Sequence, residues 1–179
     1  MRIGIVSDVH DALSNLRAAL DELRSADVLL VAGDLCSPFV LPILADGFAH
    51  GDVHIVFGNN DGDRFRMQRV AADLANVHLH GEAWTGELGG RTIAMNHFPA
   101  VAVTMDPARF HLIVFGHDHR LRTERTEAGG WRLDPGSLLG YDPAERQDVS
   151  PTFLIYDTES DEVQSLEIPP GSGSARTRA

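Results

Sequence analysis

The sequence predicts a mixed α/β domain with polar side chains gathered at one edge of its sheets. Short apolar runs of strand length alternate with segments in which apolar residues recur at helical spacing. Five of these runs end just before Asp, Asn or His, namely residues 3–7, 28–32, 53–57, 92–95 and 113–115. Open sheets with helical crossovers bind ligands outside the carboxyl ends of their strands. These polar groups are therefore expected to converge on one crevice.

Length and composition predict a single domain. The chain has 179 residues, of which 43% are hydrophobic, and this is enough for a substantial core. We place the domain at residues 1–168 and predict that residues 169–179 are disordered, because that stretch has nothing to bury. The apolar runs are too short to cross a membrane and the N-terminus lacks a signal-peptide pattern. A cytoplasmic protein without membrane contact is therefore predicted.

Charge and residue usage limit the chemistry and the partners. The formal net charge is −11, which argues against long nucleic acid as the main substrate because its capture needs a basic face. A small phosphorylated substrate is compatible with this charge, since metal ions can supply local positive charge. The single cysteine, Cys36, excludes an intrachain disulfide, and the absence of lysine excludes a lysine nucleophile.

The helices and the remaining strands are predicted from apolar spacing, capping residues and glycine-rich turns. Asp11 is the predicted N-cap of a first helix that carries leucines at positions 13, 16, 20 and 23. Further helices are expected at 38–47, 64–75 and 100–109. Strands are expected at 77–80, around a hairpin at 87–92, at 120–127 and 131–133, and in a terminal hairpin at 152–157 and 163–168, after a polar loop at 142–151.

The side chains that follow the five apolar runs are candidate functional residues. Taken singly, each has an ordinary structural explanation: Gly33-Asp34 is typical of a turn, and residues 58–63 are typical of a polar loop. Other histidines, such as His54, His78 and His80, are interpreted as polar residues of strands. Taken together, Asp, Asn and His are the residue types of a metal site. The candidates are Asp8, His10, Asp34, Asn59, Asn60, Asp61, His97, His117 and His119.

The ordered combination of these residues closely resembles the calcineurin-like metallophosphoesterases. The pattern is Asp8-x-His10, Gly33-Asp34, Gly58-Asn59-x-Asp61, His97 and Gly116-His117-x-His119. Within the superfamily it looks most like the small single-domain phosphodiesterases of bacteria and archaea. The resemblance runs from Met1 to about Ile168 and includes Asp134-Pro135-Gly136-Ser137, where relatives commonly have Asn-Pro-Gly-Ser.

The resemblance implies a four-layer α-β-β-α sandwich with two divalent metal ions at the carboxyl ends of its strands. It assigns Asp34 as the bridging ligand, and it implies phosphoester hydrolysis by a hydroxide held between the ions. Mixed carboxylate, amide and imidazole ligands suit manganese best in our interpretation, with iron, zinc, nickel or cobalt as alternatives. One metal is assigned Asp8, His10, Asp34 and His119, and the other is assigned Asp34, Asn59, His97 and His117.

Three positions depart from the usual pattern of the superfamily. Asn60 stands where many relatives have a histidine thought to protonate the leaving group, and an amide cannot act as a general acid. Asn60 and its neighbour Asp61 are the candidate catalytic residues. Phe98 replaces a glycine common in relatives, and Asp118 lies between two predicted ligands.

Three functions are compatible with the sequence. The favoured one is a phosphodiesterase acting on small phosphodiesters or nucleotides. The second is a phosphomonoesterase or a nucleoside polyphosphate pyrophosphohydrolase. The third is a non-catalytic interaction scaffold, as in the retromer subunit with this fold, and the intact set of candidate ligands argues against it. A homodimer is plausible from the resemblance alone.

Overall fold

The structure is a computed structural model that describes residues 1–168, so the predicted disordered tail at 169–179 lies outside the described residues. A 3₁₀ turn, Leu23–Ser25, follows the first helix. In chain order the elements are β1 (Arg2–Val6), α1 (Leu13–Glu22), β2 (Val28–Val31), α2 (Val40–Gly47), β3 (Asp52–Ile55), α3 (Arg64–Ala72), β4 (Val77–Leu79), β5 (Ala83–Leu88), β6 (Arg91–Asn96), α4 (Pro99–Ala102), β7 (Leu112–Val114), β8 (Leu121–Arg125), β9 (Trp131–Pro135), β10 (Tyr141–Asp142), β11 (Gln147–Asp148), β12 (Thr152–Asp157) and β13 (Glu162–Glu167).

Most of the strands form two sheets. The first has the order β13-β12-β1-β2-β3-β4, in which β1 to β4 are parallel and the terminal hairpin adds two antiparallel strands. The second has the order β5-β6-β7-β9-β8, with β6, β7 and β9 parallel. Strands β10 and β11 form a separate small hairpin. The parallel strands point their carboxyl ends toward one edge of the molecule, where polar side chains can meet.

Three apolar clusters hold four layers together. Leu16 and Leu41 pack helices α1 and α2 onto the outer face of the first sheet. Ile5 and Val114 meet between the two sheets. Ile113, on the outer face of the second sheet, is covered by α4 and the turns that follow it. This is the α-β-β-α sandwich that the resemblance implies, with a thin fourth layer.

Two helix predictions were wrong in detail. Asp11 is not an N-cap, because it has a φ of 56° and the helix begins after Ala12 without a side-chain cap. The helix predicted at 100–109 ends at Ala102. Pro107 disfavours helical backbone at Asp106, whose carboxylate instead accepts a turn hydrogen bond from the Ala108 N–H.

The loop predicted at 142–151 contains part of the small hairpin. Tyr141 pairs with Asp148, and Asp142 pairs with Gln147. The turn between the strands is stabilised by the Asp142 carboxylate, which accepts the N–H of Ala144 at 2.8 Å. Polar composition alone gave no indication of this pairing. Among residues 1–168, no helix combines the length and the apolar character needed to cross a membrane.

The three histidines that were interpreted as polar strand residues form a cluster. His54 lies in β3, His78 lies in β4, and His80 directly follows β4. His54 Nδ1 lies 2.9 Å from His80 Nε2, and the His54 ring stacks on Trp84 of β5 at 4.7 Å. The His78 ring stacks on the His54 ring, and His78 Nε2 is hydrogen-bonded to Asp52 Oδ1 at 3.0 Å. Burial, and then the neighbouring His80 and His78, lower the pKa of His54 to about 4. His54 is therefore neutral at physiological pH.

Candidate metal centre

Loops that follow β1, β2, β3, β6 and β7 are brought together at the carboxyl edge of the two sheets. Backbone hydrogen bonds join neighbouring loops: the Asp8 N–H donates to the Gly33 carbonyl, and the His10 N–H donates to the Asp34 carbonyl, both at 3.0 Å. The glycine before Asn59 is required by close packing, because a Cβ at Gly58 would overlap the Asp34 carboxylate. The recurring glycines of the sequence pattern thus allow the loops to approach each other.

One group of candidate ligands consists of Asp8, His10 and His119. His119 Nε2 lies 3.4 Å from Asp8 Oδ1, and His10 Nε2 lies 3.6 Å from the same oxygen. The two imidazole nitrogens are 3.1 Å apart. All three ligand atoms therefore face a common point.

A second group consists of Asp8, Asp34 and His97, all of them buried. His97 Nε2 lies 3.3 Å from Asp34 Oδ2 and 3.2 Å from Asn59 Oδ1. Asp34 Oδ2 also lies 3.6 Å from His10 Nε2, so this carboxylate is placed between the two groups. Asp8 is a member of both groups, and the assignment of Asp34 as the bridging ligand stays a prediction from the resemblance.

His117 is the most peripheral of the predicted ligands. Its side chain is exposed, and its ring lies 5.1 Å from that of His97 in an edge-on arrangement. Its backbone N–H donates to Asp8 Oδ2 at 3.0 Å. The structure thus places His117 beside the second group.

The donor set fits divalent metal ions. Among the described residues, Asp8 Oδ1 is a buried atom without a hydrogen-bond partner, as expected of an oxygen that is to bind a cation. The outward nitrogens of two histidines are fixed by backbone carbonyls, His97 Nδ1 by Ala32 at 2.7 Å and His119 Nδ1 by Tyr141 at 3.0 Å. These bonds leave the Nε2 lone pairs free to face the centre.

The charges of the centre are strongly coupled. Burial opposes ionisation of Asp8, but the imidazoles of His10 and His119 outweigh burial and hold the pKa of this carboxyl well below its ordinary value. Burial likewise opposes ionisation of Asp34, while His97 and then Asn60 lower its pKa. Both carboxylates are therefore ionised in a site shielded from water, where bound cations would be favoured.

Backbone strain is concentrated at the centre. Non-glycine residues with positive φ are uncommon, and they persist only where the surrounding structure fixes them. Eight of the ten such residues described belong to the loops that carry the predicted ligands: Asp8 (53°), His10 (44°), Asp11 (56°), Asp34 (57°), Cys36 (73°), Asp63 (47°), His117 (80°) and His119 (58°).

Comparison with known proteins identifies the family of this chain. The sequence pattern of the calcineurin-like phosphoesterase superfamily domain matches residues 1–161. The chain belongs to the calcineurin-like phosphoesterase superfamily. The prediction of a phosphoester hydrolase is thereby confirmed, and membership of this superfamily implies divalent metal ions, for which the structure has candidate ligands.

Individual relatives agree with this assignment. Phosphodiesterase MJ0936 of Methanocaldococcus jannaschii is 25% identical over 171 residues, which cover 93% of this chain and 98% of that protein. The structure of an archaeal phosphodiesterase matches with a TM-score of 0.82 and 24% identity, covering 94% of this chain and all of the other.

More distant structures share the fold alone. YfcE, a phosphoesterase from E. coli, has a TM-score of 0.66 and 16% identity, covering 94% of this chain and 100% of that one. Vacuolar protein sorting 29 from Cryptosporidium parvum has a TM-score of 0.62 and 20% identity, covering 93% and 96%. The fold is therefore shared by a phosphoesterase and by a vacuolar protein sorting protein.

The two predicted catalytic residues have structural roles in this calcineurin-like domain. The Asn60 backbone N–H and Nδ2 both donate to the Asp34 carboxylate at 2.8 Å. Asp61 is buried, and its carboxylate accepts the N–H groups of Asp34, Cys36 and Gly58 at 2.7–3.1 Å. The geometry argues against Asp61 as a proton donor, because both of its oxygens are used to tie two ligand loops together.

Phe98 and Asp118, the other departures from the superfamily pattern, also have defined contacts. Phe98 packs edge-on against His97 and His117, with ring centroids 5.1 and 5.2 Å apart. Asp118 Oδ2 accepts a hydrogen bond from Arg122 at 2.7 Å, and Arg122 also contacts the buried Asp134 at 3.2 Å. Nothing in the sequence pattern indicated this connection, because it crosses from the ligand loop to strands β8 and β9.

Proposed function

We propose that this protein is a metal-dependent phosphodiesterase that hydrolyses small phosphodiesters or nucleotides. The observation that carries the proposal is the pair of ligand groups around Asp8 and Asp34, with Asp8 Oδ1 buried and unpaired among the described residues. The relative named a phosphodiesterase aligns over nearly the whole chain, which supports a diester rather than a monoester.

Manganese is the proposed metal, and the seven predicted ligands would hold two ions. Two divalent ions supply Lewis-acid activation of water and neutralise the oxygens of the phosphoryl group. The protein contributes fixed ligand positions: Asn60 orients Asp34 through two hydrogen bonds, and Ala32 and Tyr141 orient two of the histidines. The predicted set is Asp8, His10, Asp34, Asn59, His97, His117 and His119.

The proton for the leaving group limits the substrates in this proposal. Asn60 has no acidic proton, and Asp61 is occupied by backbone donors. Aryl diesters, whose leaving groups tolerate negative charge, are therefore expected to react faster than alkyl monoesters. General acids contribute about 10²–10⁴-fold to such rates.

A steady-state assay with bis(p-nitrophenyl) phosphate and p-nitrophenyl phosphate, with Mn²⁺ added and then chelated, tests the proposal. Diester hydrolysis that disappears on chelation is expected. A faster monoester reaction would favour the phosphomonoesterase alternative. Metal binding without hydrolysis of either ester or of a nucleoside triphosphate would favour the scaffold, whereas hydrolysis of the triphosphate alone would favour the pyrophosphohydrolase. The cytoplasmic location, the exclusion of long nucleic acid and the homodimer stay predictions from the sequence, to be checked by cell fractionation, DNA-binding titration and sedimentation.

A further inference from the structure

Most of the exposed large apolar side chains lie close in sequence to a predicted ligand or to a residue that contacts a ligand loop. Among residues 1–168, seven large apolar side chains are exposed, and Met1 is the one that lies away from the ligand loops. The other six lie on segments that follow a predicted ligand or contact one. We call these six the apolar rim: Phe39, Phe65, Val101, Val103, Leu121 and Tyr141.

Two phenylalanines of the apolar rim are tied to the centre through neighbouring residues. Phe39 is 63% exposed and lies three residues after Cys36, whose Sγ is 3.4 Å from His10 Nδ1. Phe65 is 76% exposed and follows Arg64, whose guanidinium donates to the carbonyl of the glycine before Asn59 at 2.7 Å. Phe39 therefore lies close to a residue that contacts a predicted ligand, and Phe65 lies in the first turn of α3 beside a residue that is hydrogen-bonded to a ligand loop.

Two residues on the other side of the apolar rim are also next to a predicted ligand, His119. Leu121 follows His119 by two residues, and the Tyr141 carbonyl accepts the His119 ring N–H at 3.0 Å. Phe98 directly precedes α4, which carries Val101. It is half-buried and packs against the predicted ligand His97. The rim residues thus lie on segments that follow strands of both sheets and that carry or contact predicted ligands.

This distribution indicates a binding surface rather than chance exposure. Single apolar side chains are common on protein surfaces, whereas a concentration at one edge marks a site of interaction. The Arg66 guanidinium lies 4.8 Å from the centroid of the Phe39 ring. An aromatic ring paired with a guanidinium is a platform on which nucleobases stack.

We propose that the apolar rim binds the nucleobase of a nucleoside phosphodiester whose phosphate lies at the metal centre. This inference rests on the proposed function, because the phosphate fixes which end of the substrate reaches the ligands. The centre takes the charged group, and the rim offers apolar and aromatic surface to an uncharged ring. Diesters of small polar alcohols would gain nothing from Phe39 or Phe65.

Two substrates with the same leaving group test the proposal. The p-nitrophenyl ester of thymidine 5′-monophosphate carries a base, and methyl p-nitrophenyl phosphate does not. The doubly substituted variant Phe39→Ala/Phe65→Ala is expected to lower kcat/KM for the thymidine ester by about 5-fold or more, mainly through KM, relative to its effect on the methyl ester. The matched variant Phe39→Tyr/Phe65→Tyr keeps the aromatic faces and should retain the preference for the thymidine ester.

A binding measurement keeps the test independent of turnover. Calorimetric titration of the manganese-loaded protein with adenosine 5′-monophosphate and with inorganic phosphate should show tighter binding of the nucleotide. The alanine variant should lose that difference and the tyrosine variant should keep it. If the wild type hydrolyses neither ester, the proposed function fails, while this titration still decides whether the rim binds a base.

Three results would overturn the proposal. Equal losses on both esters would show that the alanine variant damages the centre, and the absence of any loss would show that the rim does not touch substrate. A wild-type dimer that dissociates in the alanine variant, measured by sedimentation, would assign the rim to contact between two copies of the chain.

Discussion

Replacing Arg122 with methionine is expected to weaken binding of divalent metal ions by about 10-fold. This is the lower end of the effect of losing a residue that bonds a metal ligand directly, because Arg122 acts through Asp118. Arg122 Nη2 holds Asp118 at 2.7 Å, and Asp118 lies between His117 and His119. Both histidines have positive φ, which costs on the order of 1–3 kcal/mol at each residue. Without Arg122, the loop is free to relax toward a conformation that no longer presents both ligands.

The same change should leave the protein folded. Asp134 is fully buried and loses its contact with Arg122, but burial has already raised the pKa of Asp134 to about 8. The carboxyl can therefore be neutral at pH 7, and the cost stays near the value of about 1–3 kcal/mol for an unpaired buried polar group. Asp118 is 38% exposed and regains contact with water.

Calorimetric titration with Mn²⁺ is the assay, and Arg125→Met is the matched control. Arg125 lies on the same strand and also pairs with a carboxylate, Asp161 Oδ2 at 2.6 Å, but it contacts none of the predicted ligands. Unchanged affinity in the Arg122 variant, or equal weakening in both variants, would refute the argument. The melting temperature of each metal-free variant shows whether weakened binding merely reflects unfolding.

Three further outcomes are expected. Asp34→Asn should abolish metal-dependent hydrolysis and should also remove the rise in melting temperature that Mn²⁺ causes in the wild type, because binding to the folded state stabilises it; a preserved rise would place the metals elsewhere. His54→Phe should reduce the loss of stability that occurs between pH 6.5 and pH 4. Thermal unfolding at several pH values measures this loss. The pKa of His54 is lowered to about 4 in the folded state, so only the unfolded chain takes up its proton in that window; an unchanged pH dependence would contradict this. Asn60→His should raise the turnover of alkyl diesters more than that of aryl diesters, and acceleration of neither class would show that another group supplies the proton.

The layout of the centre could be predicted because it depends on local sequence. An apolar strand, a glycine and a polar residue recur in each ligand segment, and the glycine is needed where loops approach, as at Gly58. The parallel arrangement of the strands then brings Asp8, Asp34 and His97 to one edge. Most residues of the candidate site could therefore be predicted from the short segments that follow the strands.

The roles that could not be predicted depend on contacts distant in sequence. Asp61 looked like a catalytic residue because it follows Asn59, yet it binds backbone donors that include Asp34 and Cys36, on another loop. The link from Asp118 through Arg122 to the next strand has no periodic signature in the sequence. Hydrogen bonds of this kind become visible only when the register of the sheets is known.

The edges of both sheets bear on how copies of this chain can associate. The edge strand β4 has only three residues, and β8 alternates basic and acidic side chains at Arg122, Glu124 and Arg125. On the opposite edge, antiparallel pairing of two β13 strands about their centre would place Glu162 of one copy against Glu167 of the other. Like charges directly opposite each other destabilise a strand pair, and short or charged edges resist further strand addition. Pairing of two copies through β4, β8 or β13 is therefore disfavoured, and a net charge of −11 on each chain acts in the same direction.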